Sequence, residues 1–142
     1  MIVLDTNVIS EPMRAAPDSN VVAWLNAQVD RALFTTSVSI MELRFGVNRL
    51  PDGKRKQGLW EALEFTLSRM VGPRILSFDE SAVIEAARIA ADAEASGTPI
   101  GQADSQIAAI ARTHGFTIAT RDGKPCAQAG LDVINPWDSK LE

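Results

Sequence analysis

Short apolar runs alternate with amphipathic segments along most of the chain. The runs are rich in branched and aromatic residues, which predicts five short strands near residues 1–5, 32–36, 74–78, 116–120 and 132–135. The intervening segments carry apolar residues at helical spacing and predict helices within residues 6–13, 18–28, 37–50, 59–70, 79–96 and 99–114, with a short helical piece after Gly123. Because strands and helices alternate, we expect an α/β fold: a mostly parallel sheet of about five short strands, flanked by helices on both faces.

Polar residues mark the amino ends of several of these helices. Ser37 and Asp79 each precede a helical pattern and are predicted as N-caps. Thr98 is predicted as the cap of the helix over residues 99–114, with Pro99 in its first turn. The sequence therefore predicts the first turn of three helices as well as their existence.

The composition is that of one soluble globular domain. With 142 residues, of which 46% are hydrophobic and 23% charged, the chain is long enough for one core and is assigned to a single domain over residues 1–142. One cysteine, Cys126, and one histidine, His114, exclude a disulfide framework, a cysteine-based zinc cluster and a multi-histidine metal site. No apolar run approaches the ~20 residues of a membrane span, and residues 1–5 lack the features of a signal peptide. We therefore expect a cytoplasmic protein with no membrane contact.

The net charge of −4 is confined to the second half of the chain. Residues 1–71 carry no net charge, so the excess of carboxylates lies within residues 72–142. An acidic balance argues mildly against nucleic-acid binding, which favours basic domains. An acidic excess in one half is typical either of a solvated face or of carboxylates gathered to hold a cation.

Two aspartates follow predicted strands directly. Asp5 ends the first strand, and Asp122 comes just after the strand over residues 116–120. In open parallel sheets, ligands bind outside the carboxyl ends of the strands, so both side chains are expected at the edge where a binding crevice forms. Turn formation and helix capping explain the same two aspartates without any function.

Two further acids lie within predicted helices. Asp104 shares a helix face with the apolar Ile107, and a carboxylate on an apolar face is costly unless it is paired or bound to a cation. The alternative is a charge that the amino end of the helix stabilises. Glu42 lies away from the apolar stripe of its helix, which favours a solvated glutamate or an ion pair with Arg44 or Arg49.

Covalent catalysis has little support in the sequence. Cys126 lacks a plausible histidine partner, because His114 ends a helix and is predicted to act as a carboxyl-terminal cap. No glycine-rich phosphate-binding loop is present either.

Three separated segments together resemble a known family. The segments LDTNVIS at 4–10, SIMELRFGV at 39–47 and GQADSQIAAIARTHGFTIATRD at 101–122 resemble the PIN-domain ribonucleases. Within that family the chain is similar to the VapC-type toxins of bacterial toxin–antitoxin pairs, close to the FitB-like branch. The resemblance spans nearly the whole chain and implies a PIN-like fold.

The resemblance also implies a site. The family binds Mg²⁺ or Mn²⁺ through an acidic cluster and hydrolyses RNA, and its acids correspond to Asp5, Glu42, Asp104 and Asp122, as metal ligands and catalytic residues. Many relatives read T-R-N-x-x-D-F at the fourth position, whereas this chain reads TRDGKPC and has Pro125 where the later aspartate would stand. The resemblance further implies a homodimer and an antitoxin protein that covers the site and through which alone DNA is contacted.

The physical chemistry of such a cluster is consistent with this function. At ~4 Å and an effective dielectric constant near 20, one pair of like charges costs about 4 kcal/mol. A hard divalent cation relieves that repulsion, and a water on it can be the nucleophile. Five cations lie close to Glu42 in sequence and are the predicted phosphate contacts, with a solvated loop as the alternative: Arg44, Arg49, Lys54, Arg55 and Lys56. Trp60 could stack on a base, although packing is favoured.

Two other functions remain open at this point. A phosphohydrolase could use Asp5 as its nucleophile, but that chemistry usually needs a second aspartate two residues later, where this chain has Asn7. A binding module that keeps the fold and lacks catalysis is the other alternative, which an absence of metal binding would favour.

Overall fold

A parallel sheet of five strands forms the centre of the molecule. The computed structural model describes residues 1–138, so residues 139–142 of the predicted domain lie outside it. All pairings are parallel, and the strand order is β3-β2-β1-β4-β5. The strands are β1 (Ile2–Leu4), β2 (Leu33–Thr36), β3 (Ile75–Leu76), β4 (Thr117–Ala119) and β5 (Val133–Ile134). Each predicted strand is confirmed, and each is shorter than its apolar run.

Helices connect the strands and cover both faces of the sheet. The described residues contain α1 (Thr6–Ser10), α2 (Ser19–Ala27), α3 (Ser37–Asn48), α4 (Lys54–Met70), α5 (Glu80–Ala95), α6 (Gln102–His114) and α7 (Lys124–Gln128), with 3-10 turns at Glu11–Met13 and Asp30–Ala32. None of these helices is both long enough and apolar enough to span a bilayer.

The central strands separate two apolar cores. In β1, Val3 packs into one core and Leu4 into the other, and in β4 the same alternation is made by Ile118 and Ala119. This follows from the strand geometry, which turns successive side chains to opposite faces. The first core contains α5, α6, Val38 of α3 and Cys126 of α7, and the second contains residues of α1 to α4. A sheet buried on both faces explains why the strands are continuous apolar runs rather than alternating ones.

Three helix starts differ from the sequence prediction. The N-cap of α3 is Thr36, one residue before the predicted Ser37, and its hydroxyl accepts the Ser39 N–H at 3.0 Å. α6 begins at Gln102 with Gly101 as its N-cap, because the Thr98 N–H bonds to the Ala93 carbonyl and ties that residue to the end of α5. The prediction of Thr98 as a cap is therefore wrong.

α4 also begins earlier than the pattern from residue 59 indicated. It starts at Lys54, so three of the predicted phosphate contacts lie in its first turn and not in a loop. The signal was hidden because polar residues without an apolar stripe fill that turn. By contrast, the prediction of Asp79 as the N-cap of α5 is confirmed, since its carboxylate accepts the Ala82 N–H at 3.0 Å.

The winding of the chain creates one crevice at the carboxyl edge of the sheet. From β1 the chain builds β2 and β3 on one side, and it then crosses to build β4 and β5 on the other. The loops that leave β1 and β4 therefore diverge to opposite faces of the sheet, which leaves a gap between them. Asp5 follows β1, and Asp122 follows β4 at a distance of three residues.

Candidate metal centre

Asp5 is held rigidly at the centre of the crevice. Its carboxylate caps α1 by accepting the Thr6 N–H at 2.7 Å, and its second oxygen accepts the hydroxyl of Thr120 at 2.7 Å. Its own N–H donates to the Ala119 carbonyl at 2.9 Å, which extends the pairing of β1 with β4 by one residue. The capping role foreseen as an alternative is therefore present, and both carboxylate oxygens keep lone pairs that these bonds leave free.

Glu42 reaches the same region from α3. Its carboxylate accepts the hydroxyl of Thr6 at 2.7 Å, and that hydroxyl lies 3.0 Å from the hydroxyl of the fully buried Ser39. Glu42 is half-buried, and the predicted ion pair with Arg44 is wrong, because Arg44 pairs with Glu64 of α4 instead. Glu42 is thus connected to the Asp5 region through the first residue of α1.

Three of the four predicted acids line one cavity. Asp5, Asp104 and Asp122 surround a space of about 200 Å³ together with Asn7 and Thr120, and its apolar wall is formed by Ile107, Ile118, Pro125 and Cys126. Glu42 lies outside this lining and borders a second, apolar groove between α3 and α4. The structure therefore brings three carboxylates to one cavity and places the fourth beside it.

Asp104 lies at the mouth of the cavity and not in the core. Its side chain is exposed, so the expectation of an inward-facing carboxylate on the apolar face is wrong, and the buried residues of α6 begin at Ser105. Partial burial raises the pKa of Asp104, and the negative charges of Asp5, Glu42 and Asp122 raise it further. Asp104 occupies the first turn of α6, where the helix dipole favours a negative charge. The acidic cluster acts against that dipole, and all four carboxylates share one electrostatic field.

Asp122 is exposed on the loop that follows β4. The loop lies close against β5, because a Cβ atom at Gly123 would come within 2.5 Å of Val133 Cγ1. A glycine directly after Asp122 is thus required by packing. The chain bends at Arg121, and this loop carries the Asp122 carboxylate to the cavity.

Cys126 lines the cavity but cannot act as a nucleophile. The thiol is buried, and burial together with the carboxylates of Asp5, Asp104 and Asp122 raises its pKa to about 12. The thiol is therefore protonated at neutral pH, whereas a cysteine nucleophile must be a thiolate. His114 lies at the far end of α6, where its ring contacts that of Phe116.

The donor set fits a hard divalent cation. Carboxylate, amide and hydroxyl oxygens converge on the cavity, which is the ligand chemistry that Mg²⁺ and Mn²⁺ take. Within residues 1–138, no three acidic, histidine or cysteine side chains are already close enough to form a ready-made cage. Like charges repel, so an open arrangement is the expected form of a cluster of carboxylates without a counter-ion.

The five predicted phosphate contacts differ in their surroundings. Arg44 pairs with Glu64, and Lys56 donates to the Asn48 carbonyl at 3.1 Å and to Asp52 at 3.2 Å, so both stabilise the junction of α3 and α4. Arg49 stacks on the exposed ring of Phe45, with 5.7 Å between the guanidinium carbon and the ring centre.

The remaining two contacts and the neighbouring tryptophan face solvent. Lys54 and Arg55 are exposed on the first turn of α4. Trp60 is 44% exposed, so the packing favoured for it from sequence is incomplete.

Two threonines that sequence analysis did not single out support the site. Thr6 positions Glu42, and the buried Thr120 positions Asp5. Both stand directly beside an acid or a strand end in the sequence, as D-T and T-R-D. The signal that could have identified them is therefore a hydroxyl at the carboxyl end of each central strand, where it is within reach of the neighbouring carboxylate.

Known proteins share this architecture. The PIN domain model matches residues 2–131. The chain is 47% identical over 138 residues to VapC ribonuclease Y4jK of Sinorhizobium fredii, covering 97% of this chain and 99% of that protein. It is 43% identical over 137 residues to toxin FitB of Neisseria gonorrhoeae, covering 96% and 99%. The solved structure of FitAB bound to an IR36 DNA fragment superposes with a TM-score of 0.91 at 40% identity, over 99% of each chain.

Replacing Asp104 with asparagine distinguishes two roles for this residue: a member of a repelling acidic cluster, or a carboxylate whose hydrogen bonds stabilise the fold. Because partial burial and, after it, the neighbouring negative charges raise the pKa of Asp104, the charged form is disfavoured in the folded state. We therefore expect Asp104→Asn to be at least as stable as the unmodified chain, with the free energy of unfolding measured by urea denaturation at neutral pH without metal. A loss of ~1–3 kcal/mol, the cost of a broken charged hydrogen bond, would contradict the clustered arrangement.

The control for this experiment is Asp79→Asn. Asp79 is a helix cap that accepts one backbone N–H, and asparagine caps helices about as well as aspartate does. Its stability should match that of the unmodified chain. A gain at Asp104 without a gain at Asp79 then identifies the unfavourable charge of Asp104, disfavoured by partial burial and by the neighbouring carboxylates, as the cause.

Proposed function

The chain belongs to the PIN domain family, and from that premise we propose that it is a metal-dependent endoribonuclease acting as the toxin of a toxin–antitoxin pair. One observation carries the proposal: Asp5, Asp104 and Asp122 line a single cavity at the switch point of the sheet, and the charge of Glu42 acts on the same group. The names of the similar proteins, a VapC ribonuclease and a toxin, support it. RNA phosphodiester hydrolysis is the reaction that this donor set serves best.

Asp5, Glu42, Asp104 and Asp122 would hold Mg²⁺ or Mn²⁺. When bound, the ion supplies an activated water as nucleophile and stabilises the charge that develops on the phosphoryl group. The protein's own contribution is positioning: Thr120 fixes the orientation of Asp5, and Thr6 fixes that of Glu42. The apolar wall at Ile107 and Ile118 excludes water from one side of the cavity, which strengthens the electrostatic interactions within it.

RNA needs cations near an acidic site. We assign this role to the first turn of α4, where Lys54 and Arg55 are exposed, and to Arg49, which ends α3 a few residues earlier in the chain. Cations at the amino end of a helix oppose its dipole, at a cost of typically ~0.3–1 kcal/mol each. An arrangement that weakens α4 locally favours a function for these residues over a purely structural role.

The same proposal includes protein partners. The solved complex of FitAB with DNA supports a cognate antitoxin through which this chain would contact DNA only indirectly. A homodimer is supported by exposed apolar side chains on two helices that flank the end of β3, namely Met41 and Phe45 on α3 and Val83 and Ile84 on α5. A cytoplasmic location stays a prediction.

The two alternative functions are less well supported by the geometry. Asp5 accepts a hydrogen bond on each carboxylate oxygen, which orients it in the way that a metal ligand requires. Asn7 lines the cavity where a phosphohydrolase usually has its second aspartate. A non-catalytic module would have no use for four mutually repelling carboxylates, which lower stability without a counter-ion.

Divalent metal should raise the melting temperature. An ion that binds only the folded state stabilises it by mass action, by about 2.7 kcal/mol at a hundred times its dissociation constant. We expect a dose-dependent increase with Mg²⁺ or Mn²⁺ in differential scanning fluorimetry, reduced in Asp104→Asn and retained in Asp79→Asn. A melting temperature that stays constant up to several millimolar metal would argue for the non-catalytic module.

The same pair of variants tests the reaction. RNA cleavage should be lost in Asp104→Asn and retained in Asp79→Asn. The measurement is a cleavage assay on a single-stranded RNA, together with sequencing of the RNA ends in cells after brief expression of each variant. Trapping a phospho-aspartate at Asp5 would instead support the phosphohydrolase. An Asp104→Asn variant that is clearly less stable yet still cuts RNA would show that Asp104 is structural.

Removing the cations of α4 should weaken binding but not chemistry. The expectation from sequence covers Lys54, Arg55 and Lys56; since Lys56 also ties α4 to α3, the double replacement Lys54→Ala/Arg55→Ala is the cleaner test. We expect weaker RNA binding, a shallower dependence on salt and an unchanged rate at saturating RNA. The control is Arg31→Ala/Arg69→Ala, two exposed cations near the amino ends of the strands. If both double variants change RNA affinity and its salt dependence equally, the first turn of α4 is an ordinary solvated surface with no specific role in RNA binding.

A further inference from the structure

Arg121 stands in the chain between two residues that line the acidic cavity. It precedes Asp122 and follows Thr120, whose hydroxyl holds Asp5. Its side chain is exposed at the carboxyl edge of the sheet. No carboxylate among residues 1–138 forms an ion pair with it, whereas Arg44 and Arg112 each pair with a glutamate. Arg121 is therefore a guanidinium without an acidic partner on the loop that carries Asp122 to the cavity.

A stack on Trp137 holds Arg121 in place. The guanidinium carbon lies 5.1 Å from the centre of the Trp137 ring, within the range of a cation–π interaction. Trp137 is itself partly buried against the second core. A cation–π contact is made to the charge of the guanidinium and does not occupy its N–H donors, which remain able to bind a ligand.

The segment after β5 fixes this stack on both sides. Asn135 donates to the Arg121 carbonyl at 3.2 Å and accepts the Trp137 N–H at 3.0 Å. Asn20 of α2 donates to the Trp137 carbonyl at 2.9 Å. The backbone of Arg121 and the ring beneath its side chain are therefore positioned by one network, which lowers the entropy lost when the guanidinium binds a ligand.

We infer that Arg121, stacked on Trp137, is an RNA-binding residue that contacts a phosphate next to the scissile bond. This rests on the proposed function and deepens it, since it adds the one anchored cation on the loop that carries Asp122. A planar guanidinium matches two phosphate oxygens at once, which a lysine ammonium does not. A cation at this position also offsets the repulsion between the incoming phosphate and the carboxylates.

The binding experiment uses the Asp104→Asn chain in Mg²⁺, so that a fluorescent single-stranded RNA oligonucleotide stays intact. Adding Arg121→Ala should weaken its affinity by roughly tenfold, the effect of one charge-assisted contact. The slope of the logarithm of affinity against that of salt should become shallower by about 0.7, the value for one phosphate on a single strand. Arg121→Lys should retain the slope while recovering only part of the affinity.

The matched control is Arg31→Ala, which removes an exposed cation just before β2, at the opposite edge of the sheet. It should leave affinity and slope unchanged. In cleavage assays on the chain with Asp104 intact, Arg121→Ala should raise KM with little change in kcat. A lower melting temperature for Arg121→Ala with an unchanged salt slope and KM would overturn the inference, because Arg121 would then only support Trp137.

Trp137→Leu tests the stack separately, because it leaves the charge of Arg121 in place. Affinity should fall less than in Arg121→Ala, and the salt slope should be retained. If this variant does not fold, the comparison of Arg121→Lys with Arg121→Ala still decides. If Asp104→Asn loses cleavage but Arg121→Ala leaves RNA binding unchanged, only the role of Arg121 is refuted. If Asp104→Asn still cleaves RNA, the proposed function itself is refuted.

Discussion

Mutual repulsion among carboxylates at one edge of the sheet is the constraint on which the rest of this structure depends. The reversal of winding between β1 and β4 brings Asp5 and Asp122 to the same gap, and α6 adds Asp104 at its mouth. Partial burial raises the pKa of Asp104 and the resulting field raises it further, even though that residue lies in the first turn of a helix. The fold tolerates this cost because the cluster is open to water and because two threonine hydroxyls hold the inner acids.

Several local features are unfavourable for stability, and a single function in RNA binding would explain all of them. Lys54 and Arg55 begin a helix whose dipole repels them, and Arg121 has no described acidic partner although it precedes Asp122 in the chain. Each is a place where the local preference of the sequence disagrees with its position in the fold. Such disagreements are expected where function, and not folding, has determined the residue.

Much of the fold followed from periodicity, and the errors have physical causes. The five strands were predicted because a sheet buried on both faces needs continuous apolar runs. The start of α6 was placed too early because Thr98 and Pro99 are good starting residues, yet the chain uses Thr98 to close α5 through the Ala93 carbonyl. The first turn of α4 was missed because it carries no apolar stripe. Competition between neighbouring helices for the same polar residue is invisible in a local pattern.

The sequence by itself determined the alternation of strands and helices and the placement of Asp5 and Asp122 at strand ends. It also determined the family resemblance from which the four acids were assigned to one site. Only the tertiary structure decided which side chains meet: Glu42 joins the site through Thr6 and not through Arg44, and Asp104 faces the cavity mouth and not the core. The reason is that periodicity reports how each element faces its own neighbours in the chain. Contacts between α1, α3 and the two central strands depend on strand order, which no local pattern encodes.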